Sequence, residues 1–160
     1  MRSEYFKLLQ WSESNKKNLT KRIDRLKRLK TLDQTINSAH EKAFNEIDCL
    51  ECANCCKTTG PLVTNSDISR ISSKLRVSER EFVSTYLRTD EDGDHVFKGM
   101  PCPFLSENNY YAIYEYRPRA CRQFPHTNQN GQAEITHLTR KNGRICPAVA
   151  RIYQIISDLD

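Results

Sequence analysis

Four cysteines fall within eight residues, in the run Cys49-Leu-Glu-Cys52-Ala-Asn-Cys55-Cys56, and no other feature constrains this chain as strongly. Thiolates at i, i+3 and i+6, with a fourth adjoining, can converge on one point from a tight loop. That is a donor arrangement suited to soft or borderline metals. Cys102, Cys121 and Cys146 bring the total to seven. An odd count argues against a disulfide framework, which uses its cysteines in pairs. The sequence opens Met1-Arg-Ser-Glu-Tyr-Phe-Lys, without the apolar run of about 7–15 residues that a secretory signal carries. A cytoplasmic location is therefore expected, where thiols stay reduced. Metal ligation is the preferred reading over disulfides and over inert core thiols.

A length of 160 residues suits one domain, or a domain with a helical appendage. No stretch of about 18 apolar residues is present, so no membrane-spanning helix is expected. The net charge of +5 is unevenly placed. Residues 16–30 hold eight basic side chains and one acid, a local charge of +7 that leaves the remainder at −2. The cysteine-bearing body is close to neutral.

Residues 1–47 read as a basic, amphipathic helical extension. Leu19, Ile23, Leu26 and Leu29, then Leu32, Ile36, Ala39, Ala43 and Phe44, recur at spacings of three and four. Phe6, Leu9 and Trp11 suggest a short first helix with a joint within 12–15. Residues 48–160 read as the cysteine-cluster domain. Thr64-Asn-Ser-Asp67 and Ser78-Glu-Arg-Glu81 are capping-box signals that each open a helix. The acidic turn 89–94 leads into a short strand at 95–98. Tyr110–Tyr114 and Ala133–Leu138 read as further extended segments, Pro118 as the start of a helical turn, and Pro147 as the first turn of a closing helix. The fold class that results is α+β, mostly helical, wrapped around a metal centre.

Beyond the cysteine run, the chain carries Cys-Pro-Phe-Leu at 102–105, Ile-Tyr-Glu-Tyr-Arg-Pro at 113–118 and Cys-Arg-Gln-Phe-Pro at 121–125. In this order the motifs resemble the CxxCxxCC, or YkgJ-type, cysteine-cluster family of zinc- or iron-chelating proteins, over roughly residues 48–150. The resemblance implies chelating roles for Cys49, Cys52, Cys55, Cys56, Cys102, Cys121 and Cys146. It also shows one departure, Tyr111, where relatives often carry a cysteine. It implies no defined reaction.

Ligand arithmetic leaves the metal count open. A tetrahedral site takes about four ligands and two independent sites about eight. The seven cysteines with His126 supply eight donors, and seven cysteines with one thiolate bridging two metals fill eight positions as well. Cys55 and Cys56 are adjacent, so their side chains are expected to diverge and serve different metals or roles. The C-x2-C-x2-C spacing with a remote Cys102-Pro103 or Cys146-Pro147 resembles ferredoxin ligation, which places iron, as an iron–sulfur cluster, ahead of zinc. An electron-transfer role and a nucleic-acid-associated module using the 16–30 helix are the alternatives to plain chelation. Arg117, Arg119 and Arg122 flank Cys121 and suit charge compensation of a thiolate-rich site.

Overall fold

The apolar spacing of the first 47 residues resolves into three helices. In a computed structural model that describes residues 2–159, these are α1 (Ser3–Ser14), α2 (Lys16–Arg28) and α3 (Leu32–Glu46). The joint expected within 12–15 falls at Asn15, whose amide and Nδ2 both return to the Trp11 carbonyl, at 3.0 and 2.9 Å. The break between α2 and α3 has no glycine or proline to announce it. Lys30 takes a left-handed φ of 57°. Its amide and that of Thr31 then reach the carbonyls of Lys27 and Leu26, each at 3.1 Å. This is a Schellman closure built on a lysine. Leu29, at the end of α2, is left 58% exposed, while Leu19, Ile23 and Leu26 are buried. Lys17, Lys21, Arg25 and Arg28 face solvent on the opposite side of α2.

The chain divides into two units, Met1–Asn54 with Pro125–Asp160, and Cys55–Phe124. In the first unit, α10 (Pro147–Ser157) packs on α3, α1 and α2. Pro147 occupies its first turn as expected, and Val149, Ile152, Tyr153 and Ile156 are its buried face. Arg22 of α2 donates to the carbonyls of Ile156 and Leu159 at the far end of that helix. Its charge is thereby spent on a helix C-terminus.

Two shorter helices complete this unit, α4 (Cys49–Cys52) and α9 (Thr136–Asn142). The strand expected at 133–138 is not formed. Thr136, Thr139 and Asn142 are buried at helical spacing instead, and the threonine hydroxyls return to carbonyls of the preceding turn. These bonds satisfy hydroxyls that burial removes from water. Gly143, which follows, lies under the aromatic ring of Tyr153. A Cβ there would stand 2.6 Å from Tyr153 Cε2. Gly143→Ala is expected to cost about 1–3 kcal/mol through overpacking, measured as a fall in the urea midpoint; an unchanged midpoint would show that Tyr153 can move aside.

The second unit contains α5 (Asn54–Thr58, which begins at the boundary), α6 (Asn65–Leu75), α7 (Glu79–Tyr86) and α8 (Arg119–Gln123). Thr64 and Asp67 form the full capping box, and the Ser78 hydroxyl accepts from the Glu81 amide at 3.1 Å. Strands β1 (Leu87–Thr89) and β2 (His95–Phe97) pair antiparallel with Leu87 opposite Phe97. Gly93, at φ 85°, supplies the left-handed residue in the acidic turn between them. Tyr110–Tyr114 does not form a strand. It makes one bridge, Leu105 to Tyr111, before a 3-10 turn at Tyr114–Tyr116. The core gathers Ile68, Ile71, Phe82, Leu87, Phe97 and Phe104 around one another, and Cys102 belongs to the same cluster.

Candidate metal centre

A left-handed alanine folds the cysteine run into two parts. Ala53, at φ 46°, ends α4 with its amide on the Cys49 carbonyl at 2.8 Å, and α5 starts at the next residue. Asp48 caps α4 by accepting from the Leu50 amide at 2.8 Å. Cys49 and Cys52 lie at i and i+3 and so share a face of α4; Cys49 is exposed and Cys52 buried. Asn54 Nδ2 donates to the Ile145 carbonyl at 2.7 Å, which ties the segment after Cys52 to the residue before Cys146. Cys146 precedes α10, where the amides of Val149 and Ala148 bond to its sulfur. Burial pushes the Cys146 thiol up to about 12, and negative charge at Cys49 and Cys52 adds to the push. Cys146 therefore lies within the electrostatic reach of Cys49 and Cys52.

The second unit holds the other four. Cys55 and Cys56 do not diverge as adjacency suggests: their Sγ atoms are 3.7 Å apart. The Cys102 amide donates to the Cys56 carbonyl at 2.9 Å. Cys121 is half-buried on α8. The Cys55 thiol, bonded to Cys56, lowers Cys56 to about 6 against the opposing effect of burial, with help from the Tyr111 hydroxyl and from the Arg117 and Lys57 charges. Burial raises Cys102. It also raises Cys121 to about 12, and negative charge at Cys56 and Cys102 contributes. One thiolate therefore forms readily and disfavours the next, as expected of thiols in a shared electrostatic field.

Neighbouring residues place this group. Arg117 stacks over the Tyr114 ring with its guanidinium carbon 3.5 Å from the ring centroid, and its charge favours the thiolates of both Cys56 and Cys121. Asp67 accepts from the Arg119 amide at 3.0 Å, and Arg70 donates to the Arg117 carbonyl at 3.0 Å. The start of α8, and with it Cys121, is anchored to α6 through this pair. Nothing in the sequence alone distinguishes Asp67 from an ordinary capping residue. Tyr111 was legible only as a departure from the family pattern. In the structure its hydroxyl bonds to both Cys56 and Cys102, and burial, followed by those two bonds, raises its pKa.

The histidines divide differently. The His126 carbonyl accepts from Gln132 Nε2 at 2.7 Å, and burial lowers its ring pKa, which favours the neutral imidazole that ligates metals. His40 bonds Thr127 Oγ1 at 2.8 Å and stacks on Phe44. His95 is part of β2 and His137 is exposed. Among the described residues, no three His, Cys, Asp or Glu side chains already converge as a metal would require. The donor chemistry nonetheless fits a borderline ion. Thiols supply the donors, and the sulfurs of Cys55 and Cys56 already lie 3.7 Å apart.

A mostly helical α+β chain with seven free thiols belongs to the class of cysteine-rich domains. The CxxCxxCC family model, described as "Putative zinc- or iron-chelating domain", matches residues 48–147, and the chain belongs to that family. It is also 31% identical over 94 residues to the uncharacterized protein MJ0661 of Methanocaldococcus jannaschii. That match covers 56% of this chain and 50% of the relative, so the chain spans about half the length of the curated protein it resembles. No solved structure matches. Among the described residues, no helix is long and apolar enough to cross a membrane.

Proposed function

We propose that this protein chelates zinc or iron through thiolates, with Cys55, Cys56, Cys102 and Cys121 forming a site for one tetrahedral ion. The observation that carries this reading is the 3.7 Å between the sulfurs of Cys55 and Cys56. Two sulfurs each about 2.3 Å from a tetrahedral ion lie about 3.8 Å apart. A cubane cluster places its cysteines on separate irons, so a pair this close favours a single ion over a four-iron cluster. Bound there, the ion supplies the positive charge that lets these thiols ionise together. Cys49, Cys52 and Cys146 form a second, three-thiol group, for which His126 is the candidate fourth donor. Reduced thiols in such numbers suit the cytoplasm.

The test is elemental and labile-sulfide analysis of protein purified without oxygen. The four-thiol site is expected to hold about one zinc or iron without stoichiometric sulfide. Cys56→Ser and Cys102→Ser should each empty it, and Cys49→Ser should spare it. Sulfide in proportion to iron would replace the single-ion reading with a cluster. Protein that carries and takes up no metal would overturn chelation itself.

A further inference from the structure

We infer that Tyr111 is a positioning residue of the four-thiol site, its hydroxyl lying within hydrogen-bond reach of the sulfurs of Cys56 and Cys102 and sharing its one proton with them from outside the set of metal ligands. The inference rests on the chelation reading above and deepens it. The backbone supplies the first argument. Residues 104–112 fold back on themselves, with the Ser106 amide on the Tyr110 carbonyl at 2.8 Å and the Ala112 amide on the Phe104 carbonyl at 3.1 Å. The Leu105–Tyr111 bridge closes this loop. Tyr111 is thereby set beside the Cys102 segment, which the Cys102 amide ties to the Cys56 carbonyl. One hydroxyl then lies within hydrogen-bond reach of two sulfurs that are 46 residues apart in sequence.

The second argument is chemical. Four thiols complete a tetrahedral set, which leaves no position for a phenol oxygen. A hydroxyl outside that set has a different use. It donates to an electron-rich thiolate, fixes the sulfur's direction and withdraws part of its charge. The neighbouring Tyr114 ring, 6.4 Å from that of Tyr111 and edge-on to it, and the apolar cluster behind Cys102 limit how far the phenol can swing.

Cobalt(II) titration of the reduced, full-length protein tests this, with Tyr111→Phe compared with Cys102→Ser. Tyr111→Phe is expected to bind as much cobalt as the unaltered protein, with tetrahedral ligand-field bands and an affinity lower by about 10–100-fold. Its thiolate-to-cobalt charge-transfer band should move to lower energy, because a sulfur relieved of a hydrogen bond is a better electron donor. A purely structural role would not shift that band. Unchanged affinity and band position would overturn the inference, and so would a tetrahedral spectrum lost as in Cys102→Ser, which would make the phenol a ligand. Raman spectra of the unaltered cobalt protein give a check independent of any variant's folding. The cobalt–sulfur stretch should shift in deuterium oxide, and no shift would overturn the inference. Failure of the unaltered protein to bind cobalt would overturn the chelation reading and this inference together.

Discussion

Phe82→Ala is expected to destabilise the Cys55–Phe124 unit by about 3–5 kcal/mol, the cost of deleting a buried ring where its neighbours cannot fully collapse. Phe82 has no exposed surface. Its ring lies 5.3 Å from that of Tyr86 and 6.4 Å from that of Phe104, and Phe104 is in turn 5.0 Å from Tyr86 and 5.8 Å from Phe97. Aromatic rings at these separations hold one another in place, so removing the central one leaves a void lined by rigid planes. Cys102 belongs to the same cluster, two residues before Phe104. The variant should therefore hold zinc or iron less firmly as well as unfold earlier. Urea denaturation of the unaltered protein, Phe82→Leu and Phe82→Ala checks the size. A loss below about 1 kcal/mol for alanine would mean that the rings close over the gap.

Asp67→Asn is expected to cost about 2–4 kcal/mol, since it removes the charged partner of a half-buried arginine and weakens several charge-assisted hydrogen bonds. Asp67 is only 2% exposed. It accepts from the Thr64 amide at 3.1 Å and hydroxyl at 2.8 Å, from Arg70 at 2.5 Å and from the Arg119 amide at 3.0 Å. Burial alone would raise its pKa, but the Thr64, Arg70 and Arg119 bonds together outweigh burial and hold it below its ordinary 3.8. A carboxylate depressed in this way contributes stability above its unfolded pKa and loses that contribution as pH falls through the folded value. The gap between the unaltered protein and Asp67→Asn should therefore be widest at neutral pH and close only below 3.8. A gap independent of pH from neutral into strong acid would mean that the charge of Asp67 contributes nothing. Metal retention should fall too, because Arg119 and the segment bearing Cys121 are tethered here.

Much of the secondary structure was legible because its causes are local. The capping box at Thr64–Asp67, the Ser78 cap and the Pro147 start each depend on bonds within about four residues. The buried positions of α2 and α3 follow from a periodicity that any helix imposes. The failures share a reason as well. Lys30 ends a helix without glycine, at a strain that only packing on both sides offsets. Residues 133–138 have the composition of a strand but no partner strand, and Thr136 finds carbonyls in the preceding turn instead.

The sequence by itself determined that this is a mostly helical chain built around cysteines, because periodicity, caps and thiol spacing are properties of neighbouring residues. It also determined the donor types, and so the class of metal they suit. Only the tertiary structure decided what surrounds each of those donors. The left-handed turn at Ala53 falls between Cys52 and Cys55, and the sulfurs of Cys55 and Cys56 lie 3.7 Å apart. Asp67 carries Cys121 to its place, and a loop closing at Leu105–Tyr111 sets a phenol between Cys56 and Cys102. Each of these depends on contacts between residues far apart in the chain, whose geometry no local spacing encodes.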